Sequence, residues 1–235
     1  MANCDDATVS EQMIPAFPRW IWLWAITLPF VAGAVNASAL LALQHGGVTH
    51  LTGVSTEAAL GMTSADANLL GHAGLVIGLF TAGCAISAWC IRAERWRASQ
   101  AAALMLLFEA ALLGAAAWSI EVYPARAAWL CALAIGLQNG TTSFVTGAVL
   151  RTSHLTGMFT DLGITLGQWL RGAAPDVRRA QISALVITCF IAGATAGALL
   201  HAGHPRMGLF LPAALAIVNA AMTMYGCRRS SRPYA

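Results

Sequence analysis

Six long apolar segments dominate this chain and limit the folds that it can adopt. Each is close to the roughly 20 residues that an α-helix needs to cross the hydrocarbon core of a bilayer. Only 10% of the residues are charged and 58% are hydrophobic, whereas soluble domains carry about 25% charged residues. The sequence therefore predicts an all-α polytopic membrane helix bundle with six spans: Trp20–Leu43, Ala73–Ile91, Ala101–Ile120, Ala127–Leu150, Ala180–Leu200 and Met207–Gly226.

Arginine supplies every basic residue of the chain, and its distribution predicts the orientation in the membrane. The segment 44–71 has no arginine, whereas clusters follow the second span, follow the fourth span and lie at the C-terminus: Arg92, Arg95, Arg97; Arg151, Arg171, Arg178, Arg179; Arg228, Arg229, Arg232. By the positive-inside rule, both termini are expected in the cytoplasm. Because the arginines lie in short loops beside apolar spans, they are interpreted as topology signals, and no nucleic-acid partner is expected.

A polar sequence occurs twice in this apolar chain. The first copy is His50-Leu51-Thr52-Gly53, with Glu57 four residues beyond the glycine. The second copy is His154-Leu155-Thr156-Gly157, with Asp161 at the same distance. We call these two segments, His50–Glu57 and His154–Asp161, the first and second cassettes. The repetition predicts a duplicated fold with two half-sites.

The duplication extends beyond the cassettes. Gly33-Ala34-Val35-Asn36 aligns with Gly136-Leu137-Gln138-Asn139 at a shift of 103 residues (139 − 36), and the cassettes align at 104 (154 − 50). Leu75–Gly83 aligns with Leu185–Gly193 at 110 (193 − 83). Each half then has three spans, an odd number, so the second half enters the membrane from the opposite side. This pattern predicts an inverted 3+3 repeat, an architecture of many secondary transporters.

The predicted organisation is a polar N-terminal tail (1–18), a first repeat (19–122), a second repeat (123–227) and a basic C-terminal tail (228–235). The tail 1–18 lacks the basic start of a signal peptide. The segments Leu51–Met62 and Leu155–Leu170 are expected to be short re-entrant or broken helices, because they are short or carry an acid. The alternative of eight full spans would place the Arg92–Arg97 loop outside, against the positive-inside rule.

The cassettes have the side chains of a binding site for a small solute or ion. On a helix, residues seven apart return to nearly the same face, so each histidine shares a stripe with its acid. Gly53 and Gly157 lie on that stripe and leave room for a solute or another backbone. Hydroxyl groups flank the stripe, from Thr52, Ser55, Thr56, Thr156 and Thr160.

Three further side chains complete the candidate site. Asn36 and Asn139 lie within the first span of each half, and Glu109 is an acid well inside the third span. Ionisable groups in a membrane usually face a cavity or a partner. An ungapped alignment pairs Glu109 with Pro212, so this acid breaks the symmetry and is a candidate to carry a coupling proton.

A structural interpretation of the same residues remains open. Small and hydroxyl residues pack membrane helices, and buried amides hold them together; the pairs Gly74/Gly78 and Gly193/Gly197 are expected to be helix contacts. The recognised hydrolase, metalloprotease and phosphate-binding motifs are absent, and the six cysteines form no CxxC pair. We therefore expect no enzyme activity, no cofactor and no metal site.

The paired cassettes and Gly136-Leu137-Gln138-Asn139 resemble the YoaK-like bacterial membrane proteins, a family of unknown function. The resemblance covers roughly residues 19–227 and implies a multi-pass protein of the bacterial inner membrane. Asn36 stands where that family commonly has an acid, and Val54 stands where it commonly has asparagine. The resemblance supports the fold and implies no reaction.

The favoured interpretation is a secondary transporter or permease for a small solute or ion, with its site at the interface of the two repeats. The alternative is a non-transporting scaffold or assembly protein whose cassettes only pack helices. The expected partners are the lipid bilayer and a possible solute. The sequence leaves the oligomeric state open.

Overall fold

The structure is a computed structural model that describes residues 19–43, 47–91 and 95–230. The described chain forms eight α-helices and no strand. In chain order they are α1 (Arg19–Leu43), α2 (Leu51–Thr63), α3 (Ala67–Cys90), α4 (Arg95–Ser119), α5 (Pro124–Thr146), α6 (Leu155–Leu170), α7 (Val177–Gly203) and α8 (Met207–Ser230). The predicted N-terminal tail, His45, Arg92 and Arg232 lie outside the described residues.

Among the described residues, five helices are long and apolar enough to cross a membrane. These are α1 over Ile21–Leu43, α3, α4 over Ser99–Ser119, α7 and α8 over Met207–Gly226. A chain with this many apolar helices is an integral membrane protein that crosses the bilayer several times.

The remaining predicted span, Ala127–Leu150, corresponds to α5 and is not among those five. α5 ends at Thr146, because Gly147 adopts a left-handed conformation (φ 62°) at the C-cap. Its polar residues Gln138, Thr141 and Thr142 are buried against the other helices. Since α5 is shielded by protein, it does not need the apolar composition of a lipid-facing helix.

Helix contacts occur in matching pairs when the first four helices are compared with the last four. α1 packs on α7 as α5 packs on α3, and α1 packs on α8 as α5 packs on α4. Among the described helices, the backbone of α2 approaches that of α3 alone, and the backbone of α6 approaches that of α7 alone. The segments predicted as short helices are therefore α2 and α6, each attached to the helix that follows it.

Glycines make the matching contacts between α1 and α7 and between α3 and α5. A Cβ at Gly33 would overlap the carbonyl oxygen of Phe190, and one at Gly136 would overlap that of Phe80. These pairs are related by shifts of 103 (136 − 33) and 110 (190 − 80), as the sequence alignment predicts. Since backbones approach this closely only where a side chain is missing, the glycines set the helix spacing in both halves.

The helix contacts expected at Gly193 and Gly197 are confirmed, because a Cβ on either residue would overlap the α1 backbone. The same expectation for Gly74 and Gly78 is wrong. Both are exposed, and no heavy atom outside their own helix backbone and sequence neighbours lies within 4 Å of a Cβ built on them. Their face of α3 points away from the bundle.

The directions of the helices place the two cassettes at opposite ends of the bundle. α1 and α7 run parallel, because Phe30 meets Gly193 and Ala34 meets Gly197. α8 runs antiparallel to α1, since Trp24 at the start of α1 donates to Thr223 near the end of α8 (3.0 Å). We call the end where α1 finishes the first end, and the end where α1 starts the second end.

The two hydrophobic clusters agree with this arrangement. Val54 of α2 belongs to a buried cluster with Ala127 at the start of α5 and Leu209 at the start of α8. Met158, the equivalent residue of α6, belongs to a second cluster with Trp24 at the start of α1 and Ile91 just after α3. Each cassette therefore packs against its own end of the bundle.

Candidate functional site

The histidine and glycine of each cassette contact one another. His50 and His154 are the N-cap residues of α2 and α6, and neither side chain makes a capping hydrogen bond. Their imidazole rings instead lie against the glycine three residues later, so that a Cβ on Gly53 or Gly157 would overlap the ring. In this conformation, the space beside each glycine is filled by the histidine of the same cassette.

The two asparagines hold the residues that precede these histidines. Asn36 Oδ1 accepts a hydrogen bond from the backbone N–H of Thr49 (3.2 Å). Asn139 Nδ2 donates to Ser153 Oγ (2.9 Å), and its Oδ1 accepts from Thr152 Oγ1 (3.4 Å). Each amide thus fixes the connection between the first helix of its half and the cassette.

Each cassette acid faces a base on the helix that follows. Asp161 forms an ion pair with Arg179 of α7 (3.4 Å). Glu57 interacts electrostatically with His72 of α3, and the His72 Nδ1 accepts a hydrogen bond from Trp129 Nε1 (3.1 Å). The second cassette therefore has a partner with a permanent charge, whereas the partner of the first is a histidine that accepts a hydrogen bond.

The cassette hydroxyls lie on the outside of the bundle. Thr52, Ser55, Thr56, Thr156 and Thr160 are all exposed, as are both cassette histidines. Thr56 and Thr160 donate to the backbone carbonyls of Thr52 and Thr156, four residues earlier in their own helices. Because the described parts of α2 and α6 do not touch, the structure does not bring the two cassettes together in one central groove.

Glu109 is the candidate residue in the core. Its side chain is completely buried in α4. Neither carboxyl oxygen has a hydrogen-bond partner among the described residues. No other acidic or basic side chain in the described part of the chain is buried to this extent.

The structural counterpart of Glu109 is Asn219 of α8, and the expected pairing with Pro212 is wrong. The succession of buried, partly buried and exposed residues over 101–110 is the same as that over 211–220, a shift of 110 residues (219 − 109). The same shift relates α3 to α7. The ungapped alignment missed this pairing because the second half carries several additional residues before α7.

Glu109 and Asn219 also lie at the same height in the bundle. Near one end of the contact between α4 and α8, the rings of Trp118 and Phe210 meet edge to face, with centroids 6.1 Å apart. The two helices are antiparallel, so residues equally far from this contact lie level with each other. Glu109 lies nine residues before Trp118, and Asn219 lies nine residues after Phe210.

The difference in hydrogen bonding between these two residues has a cause in the sequence. Asn219 Oδ1 accepts a hydrogen bond from Thr27 Oγ1 of α1 (2.7 Å). The residue of α5 that corresponds to Thr27, at the shift of 103, is Leu130. Leucine offers no donor or acceptor, so the position that serves Asn219 in one half cannot serve Glu109 in the other.

Sequence reasoning missed Gln138, Thr152 and the pair Thr27–Asn219. Gln138 Nε2 donates to the carbonyl of Leu28 (2.9 Å) and to Thr152 Oγ1 (2.6 Å), and so connects α5, α1 and the segment before the second cassette. Gln138 belongs to the Gly136-Leu137-Gln138-Asn139 element, and this buried amide is therefore detectable from the sequence. Thr27 and Asn219 are single polar residues within apolar spans and carried no motif.

One cavity of about 230 Å³ lies between α3 and α4 at the second end, lined by Trp89, Cys90, Ala101, Leu104 and Met105. Its lining is mostly apolar, and none of the predicted site residues contributes to it. A second, small apolar cavity lies between α1, α7 and the segment after α5. Glu109 lines neither of the two.

The comparisons with known proteins concern the same region of the chain. The family described as "Protein of unknown function (DUF1275)" matches residues 24–222, which include all eight helices in whole or in part. The chain belongs to this family. No curated protein and no solved structure matches it. The matched region includes both cassettes, Glu109 and Asn219. Because the family has no known function, the roles of these residues are inferred from the chemistry of the site.

Proposed function

We propose that this DUF1275 protein is a secondary transporter of a small solute or ion, in which Glu109 carries the coupling proton or cation. The observation that carries the proposal is the complete burial of the Glu109 carboxyl without a partner. An ionised carboxylate that is buried and unpaired costs several kcal/mol. Glu109 therefore needs a proton or a bound cation, and a residue with this requirement is suited to exchange one.

A role in packing alone does not account for Glu109. Leucine would fill the same volume in α4 without a polar group to desolvate. Asparagine with a threonine partner occupies the equivalent place in α8, so a neutral, hydrogen-bonded solution exists within the same fold. Ionisable side chains inside membrane segments generally mark ion pathways or proton relays.

We propose that six helices span the membrane as an inverted repeat, with both termini in the cytoplasm. The matching helix contacts and glycine positions of the two halves support the repeat. Three spans per half support the inversion, with α5 as the sixth span. The arginines that flank α6 support a cytoplasmic position for the second end.

We further propose that the cassettes form the two entrances of the pathway, one on each side of the membrane. His50 and His154 are exposed at opposite ends of the bundle. Each precedes an acid of the same cassette by seven residues and follows a segment that the asparagine of the preceding helix holds. In this arrangement, the histidines, Glu57 and Asp161 exchange protons or attract a cation, and the hydroxyls and amides orient the solute.

Transport is tested in proteoliposomes that contain a pH-sensitive dye, with a potassium diffusion potential across the membrane. Amino acids, sugars, organic acids and inorganic ions are added one at a time. The expected result is proton movement with at least one of them, reduced at least about tenfold in Glu109→Gln. Retained proton movement in Glu109→Gln would assign the coupling to another group. A lack of response to the whole panel counts against transport.

The second candidate is a membrane scaffold, and a specific observation favours it. The histidine–glycine contacts and the asparagine hydrogen bonds account for both cassettes as elements that hold α2 and α6 in place. A scaffold predicts that Glu57→Gln, Asp161→Asn and Glu109→Gln change stability only. Transport predicts folded variants with altered flux.

A further inference from the structure

α6 has an apolar face that no other helix covers. The backbone of α6 approaches that of α7 alone among the described helices. Phe159, Leu166 and Leu170 share one stripe of the helix, and they are 55%, 54% and 72% exposed. Trp169, beside this stripe, is 66% exposed. In water, these side chains would form a costly apolar patch.

Another face of α6 is turned towards α7. Met158 is buried against α7, and Asp161 pairs with Arg179 of the same helix. Thr156 and Thr160 are exposed beside the apolar stripe, and Ile164 beyond them is 54% exposed. Sixteen residues form a helix of about 24 Å, which is too short to span a bilayer. This pattern is typical of a helix that lies in the membrane surface.

Positive charge brackets this helix. Arg151 precedes its N-cap by three residues, Arg171 is its C-cap residue, and both are exposed. Neither guanidinium group has an ion-pair or hydrogen-bond partner among the described residues. The corresponding helix of the first half, α2, differs, because no arginine occurs between Arg19 and Arg92. Leu60 and Met62 are its exposed large apolar residues.

We infer that α6 is a surface-lying helix that binds anionic phospholipids, with Arg151 and Arg171 on the headgroups and the Phe159–Leu170 stripe among the acyl chains. Charge complementarity selects this occupant, since basic residues at a membrane surface attract anionic headgroups. A second copy of the chain would bring the arginines of two α6 helices together and is disfavoured by their repulsion. The inference is independent of transport.

Brominated lipids test this inference, because bromine quenches tryptophan fluorescence on contact. The full chain is reconstituted in phosphatidylcholine with a minor fraction of phosphatidylglycerol, and the bromine is placed on one lipid or the other. The signal of Trp169 is obtained as the difference between the wild type and Trp169→Phe. The test variant is Arg151→Gln/Arg171→Gln, and the matched control is Arg126→Gln, an exposed arginine at the first end.

We expect phosphatidylglycerol to be enriched about fivefold at Trp169 for each arginine that binds it. The enrichment should disappear in the double variant, persist in Arg126→Gln and weaken in high salt. Quenching in proportion to the bulk composition would overturn the inference. So would equal losses in the double variant and the control, or a Trp169 that neither lipid quenches, as a covering second copy would produce.

Discussion

The contact of α1 with α8 and the contact of α5 with α4 are equivalent, each joining a helix of one half to a helix of the other, yet their chemistry differs. Between α1 and α8, Trp24 donates to Thr223 and Thr27 donates to Asn219. At the equivalent positions of α5 and α4 lie Ala127, Leu113 and Leu130, together with Glu109. Hydrogen bonds connect α1 to α8, whereas the contact of α5 with α4 contains a carboxyl group without a partner.

The difference indicates which features serve the fold and which serve a function. The two halves agree in the glycines that bring helices together, in the cassettes and in the burial pattern of α4 and α8. They differ where a buried polar group is satisfied in one half and left unsatisfied in the other. The shared features hold the helices together, whereas ionisable side chains in a membrane core generally mark ion pathways or proton relays.

The largest effect on stability is expected at the glycines that the two halves share. Gly33→Ala and Gly136→Ala should each destabilise the protein by about 3 kcal/mol or more, because the added Cβ meets a backbone carbonyl and the helices must separate. The two losses should be similar. Thermal unfolding in detergent measures them, with Gly114→Ala as the control, since no atom lies near that Cβ. A large loss in one half alone would break the equivalence of the halves.

Substitutions of Asn219 and Glu109, the equivalent residues that differ in hydrogen bonding, are expected to change the stability in different directions. Asn219→Leu should destabilise the protein by about 1 kcal/mol, because it removes the hydrogen bond from the Thr27 hydroxyl, which keeps the Leu23 carbonyl as an acceptor. Glu109→Leu should leave the stability unchanged or raise it, because it removes a buried polar group that has no partner. Unfolding midpoints of the two variants decide the matter. If Glu109→Leu were the more damaging of the two, Glu109 would have a structural partner.

Smaller and equal effects are expected in the cassettes. Gly53→Ala and Gly157→Ala should each cost about 1 kcal/mol, because the new methyl group displaces the ring of His50 or His154. Removing the ring should remove the cost, so His50→Ala/Gly53→Ala should be close in stability to His50→Ala alone. A double-mutant cycle in each half measures this coupling. An additive result would mean that the ring does not rest on the glycine.

The smallest effects on stability are expected at the cassette acids, and they differ between the two cassettes. Asp161→Asn should destabilise the protein by less than about 1 kcal/mol, and the loss should shrink in high salt, because its pair with Arg179 is partly exposed. The effect should be the same at pH 6 and pH 8, since arginine stays charged. Glu57→Gln should destabilise the protein more at acidic than at alkaline pH, because the Glu57 carboxylate attracts only the protonated form of His72. Unfolding at several pH values and salt concentrations measures both.

Much of the fold could be predicted from the sequence. The start of each short cassette helix was expected where α2 and α6 begin, because His-Leu-Thr-Gly interrupts the apolar pattern at those points. The shifts of 103 and 110 predicted which glycines correspond. α5 was assigned as an ordinary apolar span, although its polar residues are tolerated because other helices surround it. Hydropathy cannot reveal that shielding.

The candidate site was less predictable. Glu109 was selected because an acid in an apolar span is costly, and this reasoning needs no structure. Its counterpart Asn219 depends on which face of α8 is buried, and the missing partner depends on Leu130 in another helix. The separation of the cassettes depends on the directions of the helices. The local sequence around His50 and His154 carries no information about those directions.

The central claim is that Glu109 exchanges a proton or cation from within the core of α4. Infrared difference spectra between acidic and alkaline pH, recorded on the protein in lipid bilayers, test it most directly. The account predicts a carboxylic-acid C=O band that appears and disappears reversibly in the wild type, is absent in Glu109→Gln and remains in Glu57→Gln. An identical set of titrating bands in the wild type and Glu109→Gln would contradict it, since an acid that never exchanges its proton cannot couple transport.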